Sequence, residues 1–276
     1  MLRLFVVLLA IVGFLSLAPT GLAGEAKAVS VVFMLAEDEY KTEISLPTFA
    51  KNVLAPLNMT YSTVEANPLG GMNFPGIESD LPTADLLVVS VRRRTPTTKQ
   101  LQLIRDHIAA GKPMIGIRTA SHAFALRKGM PIYGHAEWKN FDAEILGGSY
   151  NGHFGNEAAT LSVAVGAGEH PILRGVDLTA LPTHRLYKNL KLGTQATALV
   201  MGIAINSSEL HHVAWCNQVG ASRVFYTSLG SVEDFQHSAF KTLLKNGVLW
   251  ALGREPTHYP HLSLVKNSAV NYLVVL

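Results

Sequence analysis

The sequence predicts an α/β fold, a doubly wound and mostly parallel sheet with helices on both faces. Uninterrupted apolar runs of strand length, such as Val29–Leu35 and Ala84–Val91, are typical of strands that are buried on both sides. Segments with helical periodicity alternate with these runs in the order strand, helix, strand, strand, helix, strand, helix. Because roughly 250 residues remain after an N-terminal leader, the chain is long enough to bury a sizeable core.

The first strand, Val29–Leu35, is followed by a predicted helix from about Leu46 to Leu54 and a second strand from Met59 to Glu65. Residues 67–82 are rich in Gly and Pro and predict a loop. The third strand covers Ala84–Val91. These elements make the first repeat of the alternating pattern.

A second helix starts at Thr95–Pro96, where an N-cap residue precedes a proline in the first helical position. Leu101, Ile104 and Ile108 recur on one face, and Gly111 ends the helix. The sheet should cover this face.

The fourth strand, Pro113–Ile117, runs directly into a small-residue turn and the predicted start of a helix that contains His122. Gly116, Arg118 and Ala120 give this turn the spacing of a nucleophile elbow, but its central position holds Arg118 instead of Ser or Cys. In parallel α/β sheets, such a turn lies at the carboxyl edge, where ligands bind. We expect the functional site here.

The second half predicts four further strands and a final helix. The strands are Thr160–Val165, Leu199–Ile205, His212–Trp215 and Arg223–Thr227. The helix presents one apolar face from Phe240 onward and ends at Gly253. It should cover the sheet.

The N-terminus is predicted to be a signal peptide, residues 1–23, because Arg3 precedes the apolar run Leu4–Ala18 and small residues end at Ala23. The α/β domain then spans residues 24–254, and residues 255–276 form a C-terminal tail. We expect export to the periplasm or the extracellular space. Cys216 is the single cysteine, so no intramolecular disulfide can form.

The charge pattern argues against nucleic acids and membranes as partners. The formal net charge is +3, and Arg92–Arg94 is a basic run without interleaved aromatic residues. The apolar segments of the mature chain are too short to predict a membrane span. The sequence does not predict an oligomeric state.

Four side chains are candidates for catalysis: Arg118, His122, Asp142 and His153. Arg118 and His122 lie four residues apart across the elbow, where Arg suits a carboxylate, an oxyanion or a sugar hydroxyl and His can move a proton. Asp142 and His153 belong to a long loop-rich segment of the kind that often carries function. In an alternative structural interpretation, Arg118 pairs with an acid such as Asp142 and His122 caps a turn.

Substrate contacts are expected from loops at the same edge. Glu39 and Tyr40 follow the first strand, and Trp138 and Asn156 lie in or beside the long loop, where an indole can stack on a sugar face. Tyr226 opens a second carboxyl-edge loop that continues through Glu233 and Asp234.

A metal site is possible from residue types alone, since Asp142, His153 and His170 could act as ligands. However, no His-Glu-x-x-His, His-x-His or Cys-x-x-Cys spacing is present. We therefore predict no bound metal and no cofactor.

Several segments together resemble the ThuA-like (trehalose utilisation) family, over nearly all of the mature chain. They are Glu37–Tyr40, Gly116–His122, Phe141–Gly148, Gly152–His153, His170–Pro171, Val213–Trp215 and Arg223–Gly230 with the following helix. The resemblance implies a flavodoxin-like fold of the class I glutamine amidotransferase type and a role in disaccharide or keto-sugar catabolism.

The same resemblance argues against glutamine hydrolysis. Arg118 stands where amidotransferases of this fold carry Cys, and the loop Gly230–Asp234 lacks their His-x-Glu sequence. Many relatives carry His at the position of Arg118 and Gly-His in place of Gly230–Ser231, so a histidine-based family mechanism does not transfer directly.

Three functions remain open at the level of the sequence. The first is an exported carbohydrate-processing enzyme that uses the elbow pocket, with a small-molecule carbohydrate as its ligand. The second is a non-catalytic sugar-binding or scaffold domain, motivated by the missing nucleophile. The third is a metal-dependent hydrolase.

Overall fold

The computed structural model describes residues 27–66, 71–181 and 183–256. The predicted signal peptide and all of the C-terminal tail after Pro256 lie outside the described residues. No helix in these ranges is long and apolar enough to cross a membrane.

The described residues form one sheet of nine strands with four α-helices, joined by short 3-10 and π turns. The strands are β1 Val29–Ala36, β2 Met59–Glu65, β3 Leu86–Val91, β4 Met114–Ile117, β5 Ala158–Val163, β6 Thr183–His184, β7 Thr197–Ala204, β8 His211–Val219 and β9 Ser222–Thr227. The helices are α1 Thr42–Phe49, α2 Ile77–Asp80, α3 Thr98–Ala109 and α4 Ser238–Ala251.

The sheet is mixed, with the strand order β2-β1-β3-β4-β9-β8-β7-β5-β6. From β2 to β9 all neighbours are parallel, and from β9 to β6 all neighbours are antiparallel. The prediction of a mostly parallel sheet is therefore wrong. The reason is the length of the connections: Gly220 and Ala221 alone join β8 to β9, whereas a parallel crossover needs about a dozen residues.

Helices cover both faces of the sheet, as the sequence predicts. Successive residues of β1 point in opposite directions, so that Phe33 packs in one core with α1 and α4 and Met34 packs in another with α2 and α3. This two-sided burial explains why the strands read as uninterrupted apolar runs.

The loop after β1 is fixed to the start of α1 by the buried carboxylate of Glu37. This carboxylate accepts hydrogen bonds from the backbone N–H of Tyr40 at 2.8 Å and from the N–H and hydroxyl of Thr42 at 3.0 and 2.9 Å. As a result, Glu39 and Tyr40 are held at the carboxyl edge of the sheet.

The elbow after β4 leads into a five-residue 3-10 turn, Arg118–His122, and not into the helix that the sequence predicts. The carbonyls of His122 and Ala123 accept hydrogen bonds from the backbone N–H groups of Arg93 and Arg94 at 3.1 and 2.7 Å. These carbonyls are thus committed to the loop after β3 and do not continue a helical ladder.

The segment that follows the elbow packs closely against β8 at Gly148. A Cβ at this position would overlap the indole ring of Trp215. We expect Gly148→Ala to lower the free energy of unfolding by about 1–3 kcal/mol, as overpacking of a rigid ring does. Urea denaturation followed by circular dichroism measures this loss.

Gly168→Ala is the matched control, because a Cβ there meets nothing within 4 Å and neither glycine has a positive φ. This control should stay within about 0.5 kcal/mol of the parent chain. Equal stability of the two variants would contradict the packing described for Trp215.

Candidate functional site

Arg118 occupies the tip of the elbow in a left-handed backbone conformation, with a φ of 45°. Gly116, two residues earlier in the chain, has little room for a side chain. A Cβ at this position would lie 2.8 Å from the Leu146 side chain and 2.9 Å from the Tyr226 ring. The carbonyl of Arg118 accepts hydrogen bonds from the Tyr226 hydroxyl at 2.8 Å and from the Ser121 hydroxyl at 3.2 Å. The turn therefore has the strained geometry of a nucleophile elbow with a guanidinium at its tip.

The Arg118 guanidinium is buried, with 2% of the residue exposed. Its Nη1 donates to the carbonyl of Ser228 at 2.7 Å, and the rings of Tyr40 and Tyr187 lie 4.0 and 4.9 Å from its central carbon. Nε and Nη2 have no hydrogen-bond partner. Within the described part of the chain, no carboxylate lies within ion-pair distance of Arg118, so the pairing with Asp142 that the structural interpretation assumes is not formed.

Arg118 remains charged in this environment. Burial by itself would lower its pKa, but the side chains of Tyr187 and Tyr40 and the more distant carboxylate of Asp234 together outweigh burial, and the net pKa is raised. A buried ion costs several kcal/mol of solvation, and a desolvated cation–π contact returns about 2 kcal/mol. The protein therefore holds the charge without a directly paired carboxylate, and two donor nitrogens stay free for a ligand.

A cavity of about 500 Å³ opens beside the elbow. Four of the predicted site residues line it: Glu39, Tyr40, Arg118 and Asn156. The other lining residues are His184, Arg185, Ser231, Val232 and Glu233. A second cavity of about 590 Å³ lies between α1 and α4 and contains none of the predicted site residues.

His122 lies behind the cavity in an aromatic cluster. Its ring stacks on Tyr150 at a centroid distance of 4.5 Å and lies 6.1 Å from Tyr187, while Nδ1 is 3.2 Å from the Ser121 hydroxyl. Burial, and after it the nearby arginines with Arg93 foremost, together lower the pKa of His122 to about 3. The imidazole is therefore neutral near pH 7 and a weak base.

Asp142 and His153 lie outside the cavity lining. The Asp142 carboxylate accepts from the backbone N–H of Ala143 at 2.9 Å and of Tyr150 at 3.3 Å, and burial raises its pKa. His153 is exposed, and its backbone bridges to that of Tyr187. Asp142 thus contacts the backbone of Tyr150, and His153 pairs with the backbone of Tyr187. Both tyrosines belong to the aromatic cluster around His122.

Trp138 and Tyr226 also lie apart from the cavity lining. The Trp138 indole donates to Glu144 at 2.6 Å, carries the Arg105 guanidinium on its ring at 3.5 Å, and belongs to the core on the α3 side. Tyr226 is fully buried beneath the elbow. The contacts of both side chains are with the protein itself.

His184, Arg185 and Tyr187 were not predicted as site residues from the sequence. His184 ends the two-residue strand β6, and Arg185 and Tyr187 come just after it, where the strand is too short to show any periodicity. Arg185 donates to the Asn156 side chain at 2.5 Å, and its φ is 56°. In contrast, Glu233 could be anticipated, since it lies in the loop after a strand that ends at the carboxyl edge.

A family model described as trehalose utilisation, ThuA, matches residues 31–251. The chain belongs to the ThuA family. Comparison with curated proteins finds no match. The elbow with Arg118 at its tip is thus a feature of this ThuA chain.

Solved structures agree with the ThuA assignment at the level of the fold. A ThuA-like protein from Bacteroides uniformis superposes with a TM-score of 0.61 at 14% identity, over 87% of this chain and 98% of that one. A ThuA-like protein from Parabacteroides merdae gives 0.59 at 14% identity, over 85% and 94%. The carbohydrate deacetylase Agd3 gives 0.53 at 15% identity, over 82% of this chain and 32% of that one.

The low pKa of His122 predicts acid sensitivity. Since the folded-state pKa of about 3 lies below the ordinary value of 6.5, the unfolded chain binds the additional proton as the pH falls from 6.5 towards 3, and stability falls with it. Between pH 7 and pH 5 this residue should account for about 2 kcal/mol of lost stability. His122→Gln should reduce the loss by that amount, as measured by urea denaturation at both pH values.

His153→Gln serves as the control, because His153 is exposed, and it should follow the parent chain at both pH values. The buried His107, whose pKa burial lowers to about 4, contributes equally to all three proteins and cancels in the comparison. An unchanged acid response in His122→Gln would show that His122 is not buried as described.

Proposed function

We propose that this chain binds a carbohydrate in the cavity beside the elbow and acts in carbohydrate catabolism without hydrolysing glutamine. The observation that carries the proposal is Arg118, a buried guanidinium with two unpartnered nitrogens in the wall of a cavity. Hydrogen-bond donors that the protein leaves unsatisfied favour a ligand rich in oxygen.

The composition of the cavity supports a sugar. Carboxylates of Glu39 and Glu233 accept hydrogen bonds, Arg118 donates them, and the Asn156 amide can do both, which suits hydroxyl groups that are donors and acceptors at once. Tyr40 adds an aromatic surface of the kind that packs on a sugar ring. The volume of about 500 Å³ lies in the range of small-molecule sites.

The comparisons support the same class of ligand. The family model carries the description trehalose utilisation, and one structural neighbour is described as a carbohydrate deacetylase. The deacetylase shares only the fold at 15% identity, so the family match has the greater weight.

The chemistry at the elbow supports the absence of glutamine hydrolysis. Arg118 offers no nucleophile at the position where this fold would use one. The single cysteine, Cys216, contacts His170 and the carbonyl of Thr197, and burial raises the pKa of its thiol to about 11. A thiol in that state is a poor nucleophile.

A second candidate is turnover of the bound sugar, favoured by the two carboxylates, Glu39 and Glu233, in the same cavity as a cation. A carboxylate can move a proton while Arg118 stabilises negative charge that develops on a carbonyl oxygen. The metal-dependent alternative has less support, because the described ranges contain no group of three His, Cys, Asp or Glu side chains placed to hold a metal ion.

We also propose export. The support is the charged and then apolar sequence of residues 1–23, which lies outside the described residues. The ligand would then be an extracytoplasmic sugar.

Arg118→Gln tests the proposed site. We expect this variant to weaken binding of the ligand sugar by about 10- to 100-fold, because hydrogen bonds to a charged donor contribute about 1.5–3 kcal/mol. Isothermal titration calorimetry against a panel of disaccharides and their oxidised forms identifies the ligand and measures the change. Because the raised pKa of Arg118 means that the folded chain stabilises its charge, the urea midpoint of the variant should equal or fall below that of the parent chain, and binding is compared where both are folded.

Arg174→Gln is the control, since Arg174 contacts Glu255 and the carbonyl of Pro256 and does not line the cavity. Its affinity should match that of the parent chain. Wild-type affinity in Arg118→Gln would place the sugar elsewhere, and a glutaminase activity in the parent chain would contradict the absence of amide hydrolysis.

A further inference from the structure

We propose that the sugar bound at the elbow is anionic and that its carboxylate pairs with Arg118. The inference rests on the proposed function for the identity of the ligand as a sugar and deepens it by naming the charged group. Four features of the structure support it: the free edge of the guanidinium, the engagement of the neighbouring acids, the unpaired arginines near it, and a route of access.

The unpartnered nitrogens of Arg118 form one edge of its guanidinium. Nη1 is occupied by the Ser228 carbonyl, so Nε and Nη2 remain, and these two donors lie side by side in a planar group. Their parallel N–H bonds match the two oxygens of one carboxylate, which a single hydroxyl cannot do.

The nearby acids of the protein are held by other partners. Glu39 pairs with Arg92 at 2.9 Å, and the Asp142 carboxylate accepts backbone N–H groups. Asp234 accepts from the backbone N–H of Gly230 and Ser231 at 2.8 and 2.9 Å. Glu233 lines the cavity but lies beyond ion-pair distance of Arg118. Asp234 and Glu233 thus act on Arg118 only at longer range, and the free edge of the guanidinium has no directly paired carboxylate among the described residues.

Two further arginines reinforce the positive potential on the His122 side of the elbow. Arg93 and Arg127 both act on His122, and neither has an ion-pair partner among the residues that the structure describes. Arg93 and Arg127 do not line the cavity, and their charges add to the positive potential that attracts anions to the elbow.

Access requires one movement. Nε and Nη2 are covered in the structure, and the Tyr40 ring lies over the guanidinium while also lining the cavity. Rotation of Tyr40 away from Arg118 would uncover one face of the guanidinium and give a ligand in the cavity room to approach the free edge. The displaced ring then remains beside the ligand, where it can pack against the sugar.

The test compares acids with their own esters on the unmodified chain. Calorimetry would measure the binding of glucuronate and galacturonate, of their methyl esters, and of glucose, galactose and trehalose. We expect at least one acid to bind tenfold or more tightly than its ester, since the ester retains the ring hydroxyls and loses only the charge. Acetate, which offers a carboxylate without a sugar, should bind at least tenfold more weakly than that acid.

The outcomes separate this inference from the proposed function. Equal affinity for acids and esters, or binding of neutral sugars alone, would overturn the anionic ligand and leave the carbohydrate site standing. Absence of binding by any of these sugars would overturn both the anionic ligand and the carbohydrate site. If acetate bound as tightly as the uronates, the site would recognise carboxylates in general, and the proposal that its ligand is a sugar would be overturned.

Variants of Arg118 add a second readout that does not depend on absolute affinity. Arg118→Gln should reduce the ratio of acid to ester affinity to about one. Arg118→Lys retains the charge but not the planar fork, so the ratio should fall to an intermediate value. Arg174→Gln should keep the ratio of the parent chain, and an unchanged ratio in Arg118→Gln would overturn the assignment to Arg118.

Discussion

The hydrogen bond from the Tyr226 hydroxyl to the carbonyl of Arg118 fixes the geometry on which the site depends. A left-handed conformation at a residue with a side chain costs about 1–2 kcal/mol and persists only where the surroundings impose it. Here Tyr226 imposes it from beneath, and the bond from Arg118 Nη1 to Ser228 fixes the other end of the residue. Tyr226 thus fixes the direction of the Arg118 side chain through the backbone carbonyl, without a hydrogen bond to the guanidinium.

The two halves of the sheet make different contributions to the cavity. The parallel half brings the carboxyl ends of β1, β4 and β9 together, and with them Tyr40, Arg118 and Glu233. The antiparallel half extends the sheet beyond β9, and its edge strand β6 returns Arg185 to the rim. A fully parallel sheet with long crossovers would not provide this second wall.

The sequence predicted the parts of the fold that depend on local pattern. Apolar runs located β1 and β3, because strands buried on both faces need apolar residues on both sides. Strand direction did not follow, since a buried run has the same composition in a parallel and an antiparallel pair. The elbow was found from the spacing of Gly116 and Ala120, whereas Tyr187 was not, because its place beside Arg118 depends on long-range pairing alone.

An elbow of this kind ordinarily presents a nucleophile to a cavity. Here the same strained backbone conformation places the Arg118 guanidinium at the tip. A cysteine or serine at the tip needs a base within reach, but the neutral and weakly basic His122 stacks on Tyr150 and is surrounded by arginines. A guanidinium needs no base and acts through its charge, which gains strength from the low polarity of its surroundings. The tyrosines that cover Arg118 lower the cost of burying it without neutralising it, so the charge remains available to a ligand that supplies the missing oxygens.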